Sequence, residues 1–200
     1  MKLTACFILL LFSILLGCYS SKLSPENLSE FVTDEDNGLI KNASIGNISL
    51  QVMYQPTDIW VYRELVNKQA NTVSVDKIRS KYSPYLYFLL SISNDGREAL
   101  HQLADTDYSN LVQITSFRMN EYVTLSTSAG DTLEVADFML NRTYGMNTST
   151  DILFVFDRSK LHGQDWLQFN LNEFGLAIGN QQLRFEMSAL ENIPEVTFNN

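Results

Sequence analysis

The sequence predicts a mainly β protein: an antiparallel, immunoglobulin-like β-sandwich with one or two short helices, preceded by a signal peptide and a flexible tether. Three observations predict it. Short runs with apolar residues at every second position recur along the chain, about eight to ten of them. Gly, Asn, Asp and Pro punctuate the gaps between those runs. Aromatic residues make up 12% of the 200 residues, enough large side chains to fill a core between two sheets. The chain divides into a signal peptide (1–17), a polar tether opening on Cys18 (18–37) and a single sandwich domain (38–200). No fixed-period repeat is visible, and no Cys…Trp…Cys framework of an immunoglobulin domain is present.

Lys2 precedes an uncharged apolar run from Leu3 to Leu16. A run of this length is short for a membrane-crossing helix, which needs about 20 residues, and fits the hydrophobic region of a signal peptide. Leu15-Leu16-Gly17-Cys18 follows and resembles the lipobox of bacterial lipoproteins, with Leu16 standing where a smaller residue is usual. The resemblance implies cleavage between Gly17 and Cys18 and attachment of palmitate-class acyl chains to Cys18. Two or more chains give a stable anchor where one does not. Cys6 sits in similar letters, Leu3-Thr4-Ala5-Cys6, but no hydrophobic segment precedes it. With Cys6 removed and Cys18 acylated, no disulfide is left to form. Tyr19 after the cysteine, instead of Asp, favours the outer membrane. The absence of an acid before Glu26 favours a periplasm-facing position over the cell surface.

From Tyr19 to Asn37 the chain is polar and reads as tether and turn. Its acids, Asp34-Glu35-Asp36, lack the oxygen spacing of a calcium loop. Ile48–Tyr54 alternates as a strand and stops at Pro56. Thr57-Asp58 then opens a helix to about Lys68, and a second helical piece runs from Ser74 to Lys81. Tyr85–Ser93 is almost continuously apolar and predicts a central strand covered on both faces, ending in the turn Asn94-Asp95-Gly96. Glu98–Leu103 reads as a helical turn. Leu111–Met119 and Glu121–Thr127 read as strands, and Ala129-Gly130-Asp131 turns into a further strand, Thr132–Val135. Phe138–Tyr144, Asp151–Asp157, Trp166–Leu171 and Gln182–Met187 complete the strands, with turns at Gly175, Gly179 and Asn180.

Gly38-Leu39-Ile40, Tyr54-Gln55-Pro56, Glu64, Arg142-Thr143-Tyr144-Gly145 and Leu153-Phe154-Val155-Phe156 form a pattern similar to small uncharacterised outer-membrane lipoproteins of Bacteroidota. That family offers no established activity, so the resemblance implies a compartment and not a reaction.

The chemistry excludes several classes. The formal charge of −9, or −10 once Lys2 leaves with the signal peptide, and the lack of a basic cluster argue against nucleic acid. His101 and His162 are isolated, which argues against a hydrolytic triad and against zinc. No cofactor or metal is expected. The 23 acidic residues nominate no catalytic pair. The resulting expectation is a non-enzymatic envelope lipoprotein whose partners are the membrane, through its lipid, and another envelope protein. A rival reading is a glycan- or peptide-binding module that uses Trp60, Tyr62, Tyr85 and Tyr87 as a ring platform, with Tyr82 a further candidate ring; a third is a hydrolase whose carboxylates the sequence does not pick out. Asp131-Thr132-Leu133 is similar to the O-glycosylation site of Bacteroidota periplasmic proteins, with Thr132 as the acceptor.

Overall fold

A computed structural model describes residues 22–68, 74–102, 108–159, 161 and 163–198. Two antiparallel sheets form its framework. The larger runs in the order β1 (Ile40–Ile45), β2 (Ile48–Gln55), β3 (Tyr85–Asn94), β8 (Thr150–Asp157), β7 (Asp137–Asn141), and the two-residue β4 (Arg97–Glu98) also pairs with β3. The smaller follows β10 (Gln181–Glu186), β9 (Trp166–Leu171), β5 (Val123–Thr127), β6 (Thr132–Glu134). The sandwich is therefore present, but in another order than expected. In an immunoglobulin domain the third strand crosses to the second sheet, whereas β1, β2 and β3 are neighbours in one sheet, and β3 is its centre.

The core lies between the sheets. Leu86, Phe88, Leu90 and Ile92 alternate inward along β3, and Ile152, Phe154 and Phe156 do the same on β8. They meet Phe169 of β9 and Phe185 of β10: Phe88 lies 5.9 Å from Phe169 and 5.2 Å from Phe185, centroid to centroid, and Phe154 lies 5.7 Å from Phe169. These tilted and edge-on ring pairs join the two sheets. On the opposite, outer face, strand register aligns Ile40, Met53, Leu89, Leu153 and Met139 in one cross-strand row.

The tether expectation fails for residues 23–37. Ser24 caps the helix α1 (Pro25–Thr33), its Oγ accepting from the Asn27 N–H at 3.3 Å, and Pro25 occupies the first helical turn, where its missing N–H costs nothing. Leu28 and Val32, four residues apart, are buried in the core. Leu23 is pinned by exchange with the C-terminal segment: its N–H donates to the Glu195 carbonyl and its carbonyl accepts from the Thr197 N–H, both at 3.0 Å. The folded body thus includes residues 23–37 and does not start at 38. Polar composition hid the helix because only Leu28 and Val32 are fully buried, with Phe31 packed partly against the core.

α2 (Thr57–Lys68) and α3 (Val75–Tyr82) stand where the sequence predicts helices. The expected strand Leu111–Met119 is instead the helix α5 (Tyr108–Phe117), preceded by the short α4 (Ala99–Gln102). Leu111, Ile114 and Thr115 share one buried face at helical spacing, and Thr115 Oγ1 donates back to the Leu111 carbonyl at 2.7 Å. The β-branched Val112, Ile114 and Thr115 favour a strand, but the buried positions of the run are spaced as on a helix. With α6 (Met187–Glu191) the described residues contain six α-helices, where one or two were expected. None of them is long and apolar enough to cross a membrane.

Candidate functional site

The residues proposed as a ring platform part company in the structure. Trp60 on α2 and Tyr87 on β3 come together, with centroids 4.9 Å apart, because Tyr87 projects from the outer face of the sheet that α2 covers. Tyr82, at the end of α3, lies 6.2 Å from each of them. The polar ends of this group are engaged. Tyr82 Oη donates to Glu64 Oε2 at 2.5 Å, Lys81 Nζ donates to the same oxygen at 2.7 Å, and Tyr87 Oη donates to the Tyr82 carbonyl at 3.3 Å. The Arg63 guanidinium lies 4.8 Å from the Trp60 ring. Burial, followed by the charges of Tyr82 and Tyr85, pushes the Tyr87 hydroxyl up to about 12. Trp60 Nε1 is buried without a hydrogen-bond partner among the described residues. Tyr62, two residues beyond Trp60, leaves the helix in another direction and donates to Glu26 Oε1 on α1 at 3.5 Å. Tyr85 is exposed and joins neither group. The cluster seals α2 and α3 onto the sheet.

Thr132 begins β6, immediately after a tight turn closed by the Gly130 N–H donating to the Thr127 carbonyl at 3.0 Å, and its side chain is exposed. Gly17, Cys18 and His162 lie outside the described residues.

A second aromatic grouping, which the sequence reading did not assemble, surrounds a cavity of about 220 Å³ at the β7 edge of the larger sheet. Its construction begins at the turn Asn94-Asp95-Gly96. Asp95 and Gly96 both take positive φ, 50° and 72°, the combination a two-residue hairpin requires. The turn folds β4 back on β3 and places Glu98, expected in a helical turn, at the end of a strand, buried. Glu98 Oε2 accepts from Thr143 Oγ1 at 3.0 Å and from the Gly145 N–H. One residue pair further on, the Leu100 N–H donates to Thr150 Oγ1 at 3.1 Å. These bonds latch β4 to the segment joining β7 and β8, and α4 to the start of β8.

That segment carries Arg142-Thr143-Tyr144-Gly145. Tyr144 takes φ +53°, left-handed backbone that costs a non-glycine residue energy, and its ring is 76% exposed. Gly145 takes φ +81°, and a Cβ there would stand 2.8 Å from His101 Cδ2, so both backbone and space demand glycine. Arg142 Nη2 donates to Ser116 Oγ on α5 at 2.7 Å. Leu100, Val112 and Leu140 give the cavity apolar walls, while Tyr108 and Tyr144 add their rings. His101, an exposed residue as the sequence suggests, also borders the cavity. The one sequence signal that pointed here is the Tyr144-Gly145 pair within the lipoprotein-like pattern. Glu98 and Tyr108 gave none.

No family model and no curated protein matches the chain. A solved structure of a novel protein of unknown function from Burkholderia pseudomallei K96243 is 13% identical, with a TM-score of 0.40; the alignment covers 86% of this chain and 93% of that one.

Proposed function

We propose that this protein is a non-enzymatic lipoprotein of the outer membrane, facing the periplasm, that docks another envelope protein through the end of the sandwich around β7. The observation that carries the reading is where apolar side chains meet solvent. Among the described residues, five of the seven exposed large hydrophobics belong to α5, β7 and the β7–β8 segment: Tyr108, Phe117, Met139, Tyr144 and Met146. Scattered exposed apolar residues need no explanation, but their concentration on three adjoining elements is the signature of an interaction surface. β7 is also an edge strand of the larger sheet.

The anchor assigned to Cys18 gains a consequence from the fold. Leu23 is held by the body, so five peptide units are the whole covalent distance between it and Cys18. Five peptide units reach about 17 Å when fully extended. A lipidated Cys18 therefore keeps the body close against the bilayer, so its partner would be membrane-bound or membrane-adjacent. Thr132, exposed beside a turn, is open to the glycosylation proposed for it.

The test is site-specific photo-crosslinking in the native envelope, with the reactive group at Met146 of the full chain and, as control, at Val66, an exposed apolar residue on α2 (59% accessible). The expected result is one discrete protein adduct from position 146, absent from position 66 and lost in Cys18→Ser. Equal labelling from both positions, or no protein adduct from either, overturns the reading. The ring-lined cavity favours the second reading, a glycan or peptide ligand, and retention of a glycan with no protein adduct would select it.

A further inference from the structure

We infer that the cavity at Glu98 receives a basic side chain, a lysine-type ammonium, presented by the protein that docks at this end of the sandwich. The inference rests on the docking reading and names its chemistry. Glu98 is 6% exposed and lines the cavity; its Oε1 is not a buried atom, so the little solvent the residue meets includes this oxygen. A buried carboxylate is costly unless it is paired or fully hydrogen-bonded. Here only one oxygen is served: both described donors, Thr143 Oγ1 and the Gly145 N–H, converge on Oε2. Oε1 accepts no hydrogen bond among the described residues, and no described cation forms an ion pair with Glu98.

The remainder of the cavity suits the same ligand. Tyr108 and Tyr144 present rings, whose faces attract ammonium groups. Leu100, Val112 and Leu140 supply apolar surface for the methylene stem that a lysine buries behind its charge. A volume of about 220 Å³ lies below the range of sites for drug-sized ligands and suits a single side chain. The two basic residues at the cavity do not reverse its sign. Arg142 is exposed and turned to Ser116 Oγ, and His101 is exposed, so the charge held out of water is the carboxylate. The formal charge of −9 draws cationic partners toward the protein as a whole.

The experiment titrates the full lipidated chain, in detergent, with the capped tripeptide acetyl-Ala-Lys-Ala-amide, and follows binding by saturation-transfer NMR. The controls are the same peptide with Nε-acetyl-lysine and with norleucine. The lysine peptide should bind at least tenfold more tightly than either neutral peptide. Glu98→Gln should remove that preference, Tyr144→Ala should weaken binding several-fold, and Val66→Ala should change nothing. Tyr144 is exposed, so its variant keeps the test sound even if Glu98→Gln does not fold. Equal binding of the lysine and acetyl-lysine peptides, or no binding of the lysine peptide, overturns the inference. Crosslinking at Met146 separates the two claims. An adduct without lysine binding leaves docking standing and removes the ammonium site, and lysine binding without an adduct does the reverse.

Discussion

The Trp60–Tyr82–Tyr87 cluster and the cavity at Glu98 both set aromatic rings beside a buried carboxylate, yet they are in opposite states of completion. In the cluster, Glu64 is met by a phenol and an ammonium from its own chain, and the Tyr87 hydroxyl ends on a backbone carbonyl. In the cavity, one carboxylate oxygen is occupied, the rings of Tyr108 and Tyr144 are exposed, and left-handed backbone holds Tyr144 in place. Aromatic content alone does not mark a binding surface. What separates the two regions is whether the polar groups under the rings have already found partners.

The largest expected effect comes from breaking the finished region. Trp60→Ala removes the ring that α2 lays on Tyr87, leaving a void between helix and sheet. Large-to-small aromatic substitutions in packed sites cost about 3–5 kcal/mol. Trp60 is only half-buried, so the loss should fall near about 3 kcal/mol. Chemical denaturation should read it as a lowered midpoint, and binding of the lysine peptide to the folded variant should be unchanged. A loss of peptide binding in this variant would erase the distinction between the two regions.

The contrast also explains what could be read from the sequence. Strands with strict alternation, such as Leu167, Phe169 and Leu171 in β9, declare their buried face in their own period, whereas β1 was not expected and the run Leu111–Met119, expected as a strand, is helical. α1 and α5 were missed for different reasons. The polar surface of α1 outweighs Leu28 and Val32, and the β-branched residues of α5 favour a strand until the spacing of three and four from Leu111 to Ile114 and Thr115 is counted. The cluster was largely legible: Trp60, Tyr82 and Tyr87 were all candidate rings, but nothing local says that Tyr62 turns toward α1. The cavity was least legible of all. It is assembled from β4, α4, α5 and the β7–β8 segment, so its residues are 46 positions apart from Glu98 to Tyr144 and share no period. Only backbone constraint left a mark there, as the Tyr-Gly pair.

Glu173 sharpens the comparison at intermediate cost. Like Glu98 it holds a loop through backbone N–H groups, but both its oxygens are used: Oε1 accepts from Gly175 at 2.7 Å and Ala177 at 3.0 Å, and Oε2 accepts from Gly179 at 2.6 Å. Burial on its own would raise its pKa, and the N–H donors outweigh that and hold the carboxyl below its ordinary value. A depressed pKa stabilises the fold above the unfolded value, about 4.3, and that contribution disappears as the pH falls through the folded value. Glu173→Gln should therefore cost about 1–2 kcal/mol at pH 7. The difference from the parent should shrink in thermal melts as the pH drops through the carboxylate range. A gap that stays constant with pH would mean that the loop is held by shape and not by charge.

The smallest effect is the one with an unusual sign. Tyr144→Gly relieves left-handed strain worth about 1–2 kcal/mol for a residue with a side chain. The extra freedom of glycine in the unfolded chain returns about 0.5–1 kcal/mol. With the ring 76% exposed, little packing is lost to offset the remainder. The variant should be more stable by about 0.5–1 kcal/mol and should bind the lysine peptide several-fold more weakly. A surface tyrosine held at a cost to the fold is one whose position matters for something other than the fold. Calorimetry of this variant decides the matter from the stability side alone. If it melts earlier than the parent, the Tyr144 ring contributes packing that its exposure does not suggest, and the cavity is a closed structural feature like the cluster on the far side of the sheet.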